Sequence, residues 1–283
     1  MLTAREVQHL RRRRPPPSLR QRWQEYILQR IEGYKNSLAR DELLRIGDEA
    51  VAELEATVEG QFLLTEVLMQ DTVDRMIWRR LGLKPYRQWA SQYRAVRAAQ
   101  QSPTHWGIDQ RCPVSLLLPR IEPHDAAVVI GAGAECYAYL LAACDMAVTF
   151  IAGDLACVER VESRMIAESL AEQFSAYVAQ LGHWLPDLDG SAHLVVMDAG
   201  SLQQLAARDR QAMIRSLQAS TLDGGVHIIV PGLRAFVPEA FLTLYPDWSR
   251  ETPKPARRRS GTKSLGVLLT KPVCQSETAS CVS

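Results

Sequence analysis

A chain of 283 residues that is 47% hydrophobic and 23% charged holds enough apolar material for one large or two modest globular domains. No apolar run approaches the roughly 18 residues that a helical membrane span needs. The formal net charge of +1 hides an asymmetry: residues 1–40 carry ten Lys/Arg against three acids, whereas residues 121–250 carry seven Arg against sixteen acids. An acidic second half does not suit a surface that wraps a nucleic-acid backbone, so DNA is not expected as a partner and RNA is disfavoured.

The chain begins with a basic, proline-rich arm over residues 1–17, in which Arg11–Arg14 precede Pro15–Pro17. Such a run reads as a solvated segment, and no apolar stretch follows it as a secretory leader would require. Ser18 then offers an N-cap, and Leu19, Trp23, Tyr26, Ile27, Ile31 and Tyr34 recur at helical spacing. Further helices are expected from about Asp41 (Leu43, Leu44, Ile46, Val51 and Leu54 inward), over Phe62–Leu81, and over Pro85–Gln100. Residues 18–112 are therefore expected to be all-helical, closing with a loop at Ser102–Gly107.

After Pro123 strands alternate with helices. Strands are expected at Ala126–Ile130, Ala147–Ile151, Ala176–Leu181, His193–Met197 and Val226–Val230, with helices over Tyr137–Cys144, Ala156–Ala171 and Ala206–Ala219. That alternation predicts a parallel sheet covered by helices on both faces. Pro246–Glu251 and Ser264–Thr270 read as two further strands, joined by the basic connection Lys254–Lys263. With no helix between them, they should pair antiparallel. Six cysteines show no C-x-x-C pair and no metal-ligand spacing, which fits reduced, buried thiols in a cytoplasmic protein and no bound metal.

Three segments carry a family resemblance over residues 113–273: Val-Val-Ile-Gly-Ala-Gly-Ala-Glu (128–135), Leu-Val-Val-Met-Asp (194–198) and Leu-Asp-Gly-Gly-Val-His-Ile-Ile-Val (222–230). Taken in order with the closing hairpin, they resemble the class I, Rossmann-like S-adenosylmethionine-dependent methyltransferases, most closely the small-molecule branch. The resemblance implies an α/β fold with a seven-stranded, mostly parallel sheet and an antiparallel C-terminal hairpin. The helical region would be a lid or acceptor-recognition unit, and residues 274–283 a tail.

It also implies S-adenosyl-L-methionine as cofactor. The glycine loop would cradle the methionine portion through Gly131, Ala132 and Gly133, with Glu135 beside the helix start. Glycines suit such a loop because the backbone must approach a ligand, and the helix amino end then offers free N–H groups. Asp154 would serve the ribose and Gln180 the adenine. Asp198, just past the fourth strand, falls where the family contacts its acceptor and could take the acceptor's proton. His105 and Trp106 are placed to close over the substrate.

Four positions depart from the family pattern. Val129 stands where an acid usually precedes the loop, Glu135 at the third glycine, Ala152 at the ribose acid and Gln180 at the adenine acid. These departures keep a second class open, a methyltransferase-fold scaffold without catalysis. Transfer of the cofactor's aminobutyryl arm is a lesser alternative. A nicotinamide dehydrogenase is poorly supported, because Gly-x-Gly-x-x-Gly fails at Cys136. The expected acceptor is a small molecule. No Asp/Asn-Pro-Pro-aromatic stretch follows the fourth strand, as base-amine methylation would need, and no Pro-Cys nucleophile is present.

Overall fold

The computed structural model describes residues 17–57, 66–188, 191–231, 237–252, 256–258, 261–263 and 265–273. The arginine run, the start of the third expected helix at Phe62 and the 274–283 tail lie outside them. The chain divides into two compact units, Met1–Val96 and Arg97–Ser283.

The first unit is helical: α1 (Leu19–Ser37), α2 (Arg40–Thr57), α3 (Glu66–Leu81) and most of α4 (Tyr86–Gln100). A capping box starts α1, where the Ser18 hydroxyl accepts from the Gln21 N–H at 3.2 Å and Gln21 Oε1 accepts from the Ser18 N–H at 2.7 Å. Gly82, with φ +58, ends α3 in a Schellman turn: the Leu83 N–H reaches the Trp78 carbonyl and the Gly82 N–H that of Arg79. Ile27, Ile31, Ile77 and Leu83 form the core, with Trp23, Tyr34 and Trp78 packed against them. The inward faces are narrower than the sequence pattern implies. Tyr26, Leu43 and Leu44 are exposed, and α2 buries the expected Ile46 together with Ala50.

In the second unit, α5 (Pro113–Leu117) leads into β1 (Ala126–Ile130), α6 (Glu135–Ala143), β2 (Ala147–Ala152), α7 (Leu155–Ala167) and β3 (Phe174–Val178). Then follow β4 (Ala192–Asp198), α8 (Ala199–Gln203), α9 (Ala207–Ala219), β5 (Thr221–Val230) and α10 (Glu239–Leu242), and the chain closes with β6 (Ser249–Glu251), β7 (Ala256–Arg258), β8 (Gly261–Lys263) and β9 (Val267–Thr270). The main sheet has seven strands in the order β3-β2-β1-β4-β5-β9-β6. Strands β1 to β5 pair parallel, and β9 runs antiparallel between β5 and β6. This is the expected Rossmann-like methyltransferase sheet. Part of the basic connection forms its own small antiparallel pair, β7–β8.

Strict alternation feeds both faces of the sheet. Ala127, Val129, Leu194 and Val196 join α6 and α7, while Val128, Ile130, Val195 and Met197 join α9 and α10. Trp106 belongs to the first of these layers: it is buried, donates its indole N–H to the Gln100 carbonyl at 2.6 Å, and packs on Tyr139 with ring centroids 5.1 Å apart.

The third strand lies earlier than the expected Ala176–Leu181. It ends at Val178, and after the Ala179 N–H meets the Ala152 carbonyl the chain leaves the sheet. The apolar Leu181 continues the hydrophobic run but packs in the core layer beneath the following loop.

Candidate functional site

Strand order reverses between β1 and β4, the switch point where open α/β sheets take ligands beyond the carboxyl ends of their strands. A cleft of about 900 Å³ opens there. Its lining comes from the loop after β1 (Ala132), the turn after β2 (Gly153, Asp154), the loop after β3 (Gln180, His183), and α8 to α9 (Ser201, Gln204, Asp209).

The glycine loop is shaped by what lies behind it. Gly131 has φ +97, and a β-carbon on it would sit 2.5 Å from Ser201 Oγ. A β-carbon on Gly133 would sit 2.7 Å from the Asp198 carboxylate. The glycines thus let the β1–α6 turn close onto the end of β4. No side chain caps the 3-10 turn Ala132–Ala134 or the start of α6. An uncapped helix start offers N–H groups and a positive dipole end to an anionic group.

Asp198 is 5% exposed and caps α8. Oδ1 accepts from the Gly200 N–H at 3.0 Å, and Oδ2 accepts from the Ser201 N–H at 3.0 Å and the Ser201 hydroxyl at 2.8 Å. Asp154 caps α7 through Oδ1, which accepts from the Ala156 N–H at 3.2 Å, and its exposed carboxylate lines the cleft. Gln180 lies on the exposed loop after β3, facing the same cleft.

Ala132, Asp154 and Gln180 are therefore brought together around one cavity, with Gly131, Gly133 and Asp198 immediately behind it. Glu135 takes a different partner: Arg160 on α7 donates to it at 3.0 Å, and Glu135 is not part of the cleft lining. His105 and Trp106 also lie outside the lining. His105 stands edge-on to Trp106, and Trp106 is held between Tyr139 and the Arg164 guanidinium, 5.4 Å above its ring. His183, which the sequence aligns near the adenine edge, lines the cleft, whereas Ser201, Gln204 and Asp209 are cleft residues that sequence reasoning missed. The one available signal for Asp209 was its place as an acid in the first turn of the helix expected after the fourth strand.

None of the four described thiols is activated as a nucleophile. Burial pushes Cys136 and Cys144 up to about 11, and raises Cys112 and Cys157 as well. Those four cysteines are unpaired, and no group of His, Cys, Asp and Glu suited to a metal occurs among the described residues. His227 on β5 is fully buried and held neutral, pulled down to about 3 by desolvation and by Lys271. Thr221 donates its hydroxyl to the Leu217 carbonyl, so it accepts from His227 Nε2–H, leaving Nδ1 to accept from the Tyr245 hydroxyl. His193 sits at the opposite end of the sheet from the cleft, where Nδ1 accepts from the Ala126 N–H at 3.1 Å and Nε2 lies 3.3 Å from Asp125. No helix among the described residues is long and apolar enough to cross a membrane.

No protein-family model matches the sequence, and no curated protein matches it either. Solved structures do. An S-adenosylmethionine-dependent O-methyltransferase from Thermotoga maritima is 14% identical over 58% of this chain and 66% of its own, with a TM-score of 0.40. A methyltransferase from Methanosarcina mazei is 16% identical over 56% of this chain and 97% of its own, with a TM-score of 0.43. A TehB-like methyltransferase from Corynebacterium glutamicum is 17% identical over 65% of this chain and 97% of its own, with a TM-score of 0.42. The strand order with its antiparallel β9 is what defines the fold of this unit. The Arg97–Ser283 unit carries the class I, Rossmann-like methyltransferase fold.

Proposed function

We propose that this protein binds S-adenosyl-L-methionine in the cleft above β1, β2 and β3 and transfers its methyl group to a small-molecule acceptor. One observation carries the reading: a single cleft at the switch point joins an uncapped helix start at Ala132 to Asp154 and Gln180, each on the loop of a different strand. The residues present fit the group. The amides of Ala132 and Gly133 suit its methionine carboxylate, the second oxygen of Asp154 suits the ribose hydroxyls, and the Gln180 amide suits the base.

When bound, the sulfonium supplies an activated methyl for in-line displacement. The chain's work is then alignment, which is worth effective molarities of about 10⁵–10⁸ M when geometry is held. Asp198 contributes by position. Both its oxygens accept hydrogen bonds from Gly200 and Ser201, so it fixes α8 against the glycine loop.

Calorimetric titration of the full chain with S-adenosylmethionine and S-adenosylhomocysteine tests the binding step. Saturable heat at micromolar to submillimolar ligand supports it; no heat at millimolar ligand overturns it. Product analysis then separates methyl transfer, which leaves S-adenosylhomocysteine, from aminobutyryl transfer, which leaves methylthioadenosine. A second reading, a methyltransferase fold kept for scaffolding, draws on Val129 and Ala152. Both are buried apolar side chains where the family places acids. Binding without turnover across a panel of small amine, hydroxyl and thiol acceptors favours it.

A further inference from the structure

We propose that strand β3 is a homodimer interface, where a second copy of this chain pairs antiparallel with β3 across a two-fold axis at Tyr177. The inference is independent of the cofactor reading. The two edges of the seven-stranded sheet differ. Strand β6 has 3 residues, carries Arg250 and Glu251, and has Arg250 tied to Glu239 by hydrogen bonds of 2.7 and 3.2 Å. Short, charged edges of that kind resist pairing with another chain. Strand β3 lacks this protection, since no charged residue and no proline occurs from Phe174 to Gly182. Tyr177, Val178 and, on the loop beyond, Trp184 are 39%, 47% and 53% exposed. Tyr177 and Trp184 meet edge to face, with ring centroids 6.5 Å apart.

The backbone register says how a copy fits. The Ala179 N–H donates to the Ala152 carbonyl, so Ala179, Tyr177 and Ser175 turn their backbone groups toward β2. Ala176 and Val178 turn theirs outward, where no strand among the described residues takes them. Around a two-fold axis at Tyr177, Ala176 of each copy faces Val178 of the other, and each such pair exchanges both its N–H···O bonds. Tyr177 then faces its own copy as a non-hydrogen-bonded pair, with Cα atoms about 4.5 Å apart and both rings on one face of the joined sheet. Charge points to the same occupant. Residues 121–250 carry seven Arg against sixteen acids, so copies repel at faces that bear this charge, and β3 brings none of it to the axis. An uncharged edge likewise offers no ion pair to a basic or acidic peptide, which leaves the self-match of its hydrogen bonds and aromatic rings to select the partner.

Sedimentation velocity of the full chain at about 1 to 100 µM, the affinity range of a modest interface, should show a concentration-dependent monomer–dimer equilibrium. Tyr177→Lys sets like charges opposite each other at the axis and should weaken association by about tenfold or more, with the far-UV circular dichroism unchanged. Tyr177→Cys should form a disulfide between copies under mild oxidation, because Cα atoms about 4.5 Å apart lie within disulfide reach. Ser175→Cys should not, since in this register the two Ser175 positions stand about 14 Å apart. The wild-type chain under the same oxidant gives the background of the native thiols. A chain that stays monomeric at about 100 µM overturns the inference. A dimer indifferent to Tyr177→Lys, or one that cross-links at Ser175→Cys and not at Tyr177→Cys, has its interface elsewhere and overturns it equally. If Tyr177→Lys unfolds the chain, the two cysteine variants decide alone.

Discussion

The Asp198 carboxylate occupies the space into which a side chain on Gly133 would project, 2.7 Å from where its β-carbon would be. The same carboxylate is fastened by Gly200 and Ser201, so the glycine loop of β1 and the cap of α8 are one interlocked unit. Changes at either residue should therefore be felt at the other.

Gly133→Ala should destabilise the chain by about 1–3 kcal/mol, since the neighbour it meets is a pinned carboxylate rather than a flexible tip. Asp198→Ser keeps a capping oxygen on a shorter side chain. In a urea-unfolding double-mutant cycle, the two changes together should cost less than their sum. Additive costs would mean the loop and cap are independent.

Asp154 separates stability from binding. Asp154→Ala removes the α7 cap and should cost about 1 kcal/mol in thermal or urea unfolding. Asp154→Ser should recover most of that stability and still lose about tenfold or more in S-adenosylhomocysteine affinity. Equal affinity in wild type and Asp154→Ser would remove Asp154 from the site.

His227 gives the chain a pH signature. Its folded-state value of about 3 lies below the ordinary 6.5, so the neutral ring contributes stability that is full above about pH 6.5 and is lost as pH falls toward 3. His227→Gln preserves hydrogen bonding without titrating. Between pH 6 and 4 its unfolding free energy should fall less steeply than that of wild type, by about 1.4 kcal/mol per pH unit. Parallel curves would contradict a buried neutral imidazole.

Glu135 tests a sequence-based expectation directly. Its partner is the exposed Arg160, so Glu135→Gln should change stability by less than about 0.5 kcal/mol and leave cofactor affinity within about twofold. A large loss of affinity would return Glu135 to the site.

Much of this architecture is legible in the sequence because burial is two-sided. Strand β1 lies at Ala126–Ile130 as its pattern implies, since a strand covered on both faces is a continuous apolar run, and Gly131 ends it. Strand β3 is the edge of the sheet; its side chains are largely exposed, its apolar signal is weak, and Leu181 beyond it misplaces the end. The cleft itself was legible only where it touches strand ends. Ala132, Asp154 and Gln180 follow from strand boundaries, whereas Asp209 meets them only after α9 folds back against Gly182. Glu135 shows the converse, since adjacency to Gly133 in sequence pointed it at the ligand and Arg160, 25 residues on, turns it away. Trp106 carried a loop signal from its neighbours Ser102 and Pro103, but its ring belongs to the α6–α7 core layer.

The most direct measurement is a crystal structure of the full chain grown with S-adenosylhomocysteine. The ligand should lie along the carboxyl ends of β1, β2 and β3, with its amino-acid carboxylate on the Ala132 and Gly133 amides, its ribose at Asp154 and its base at Gln180. An empty cleft at millimolar ligand, or a ligand bound elsewhere on the chain, would contradict the account.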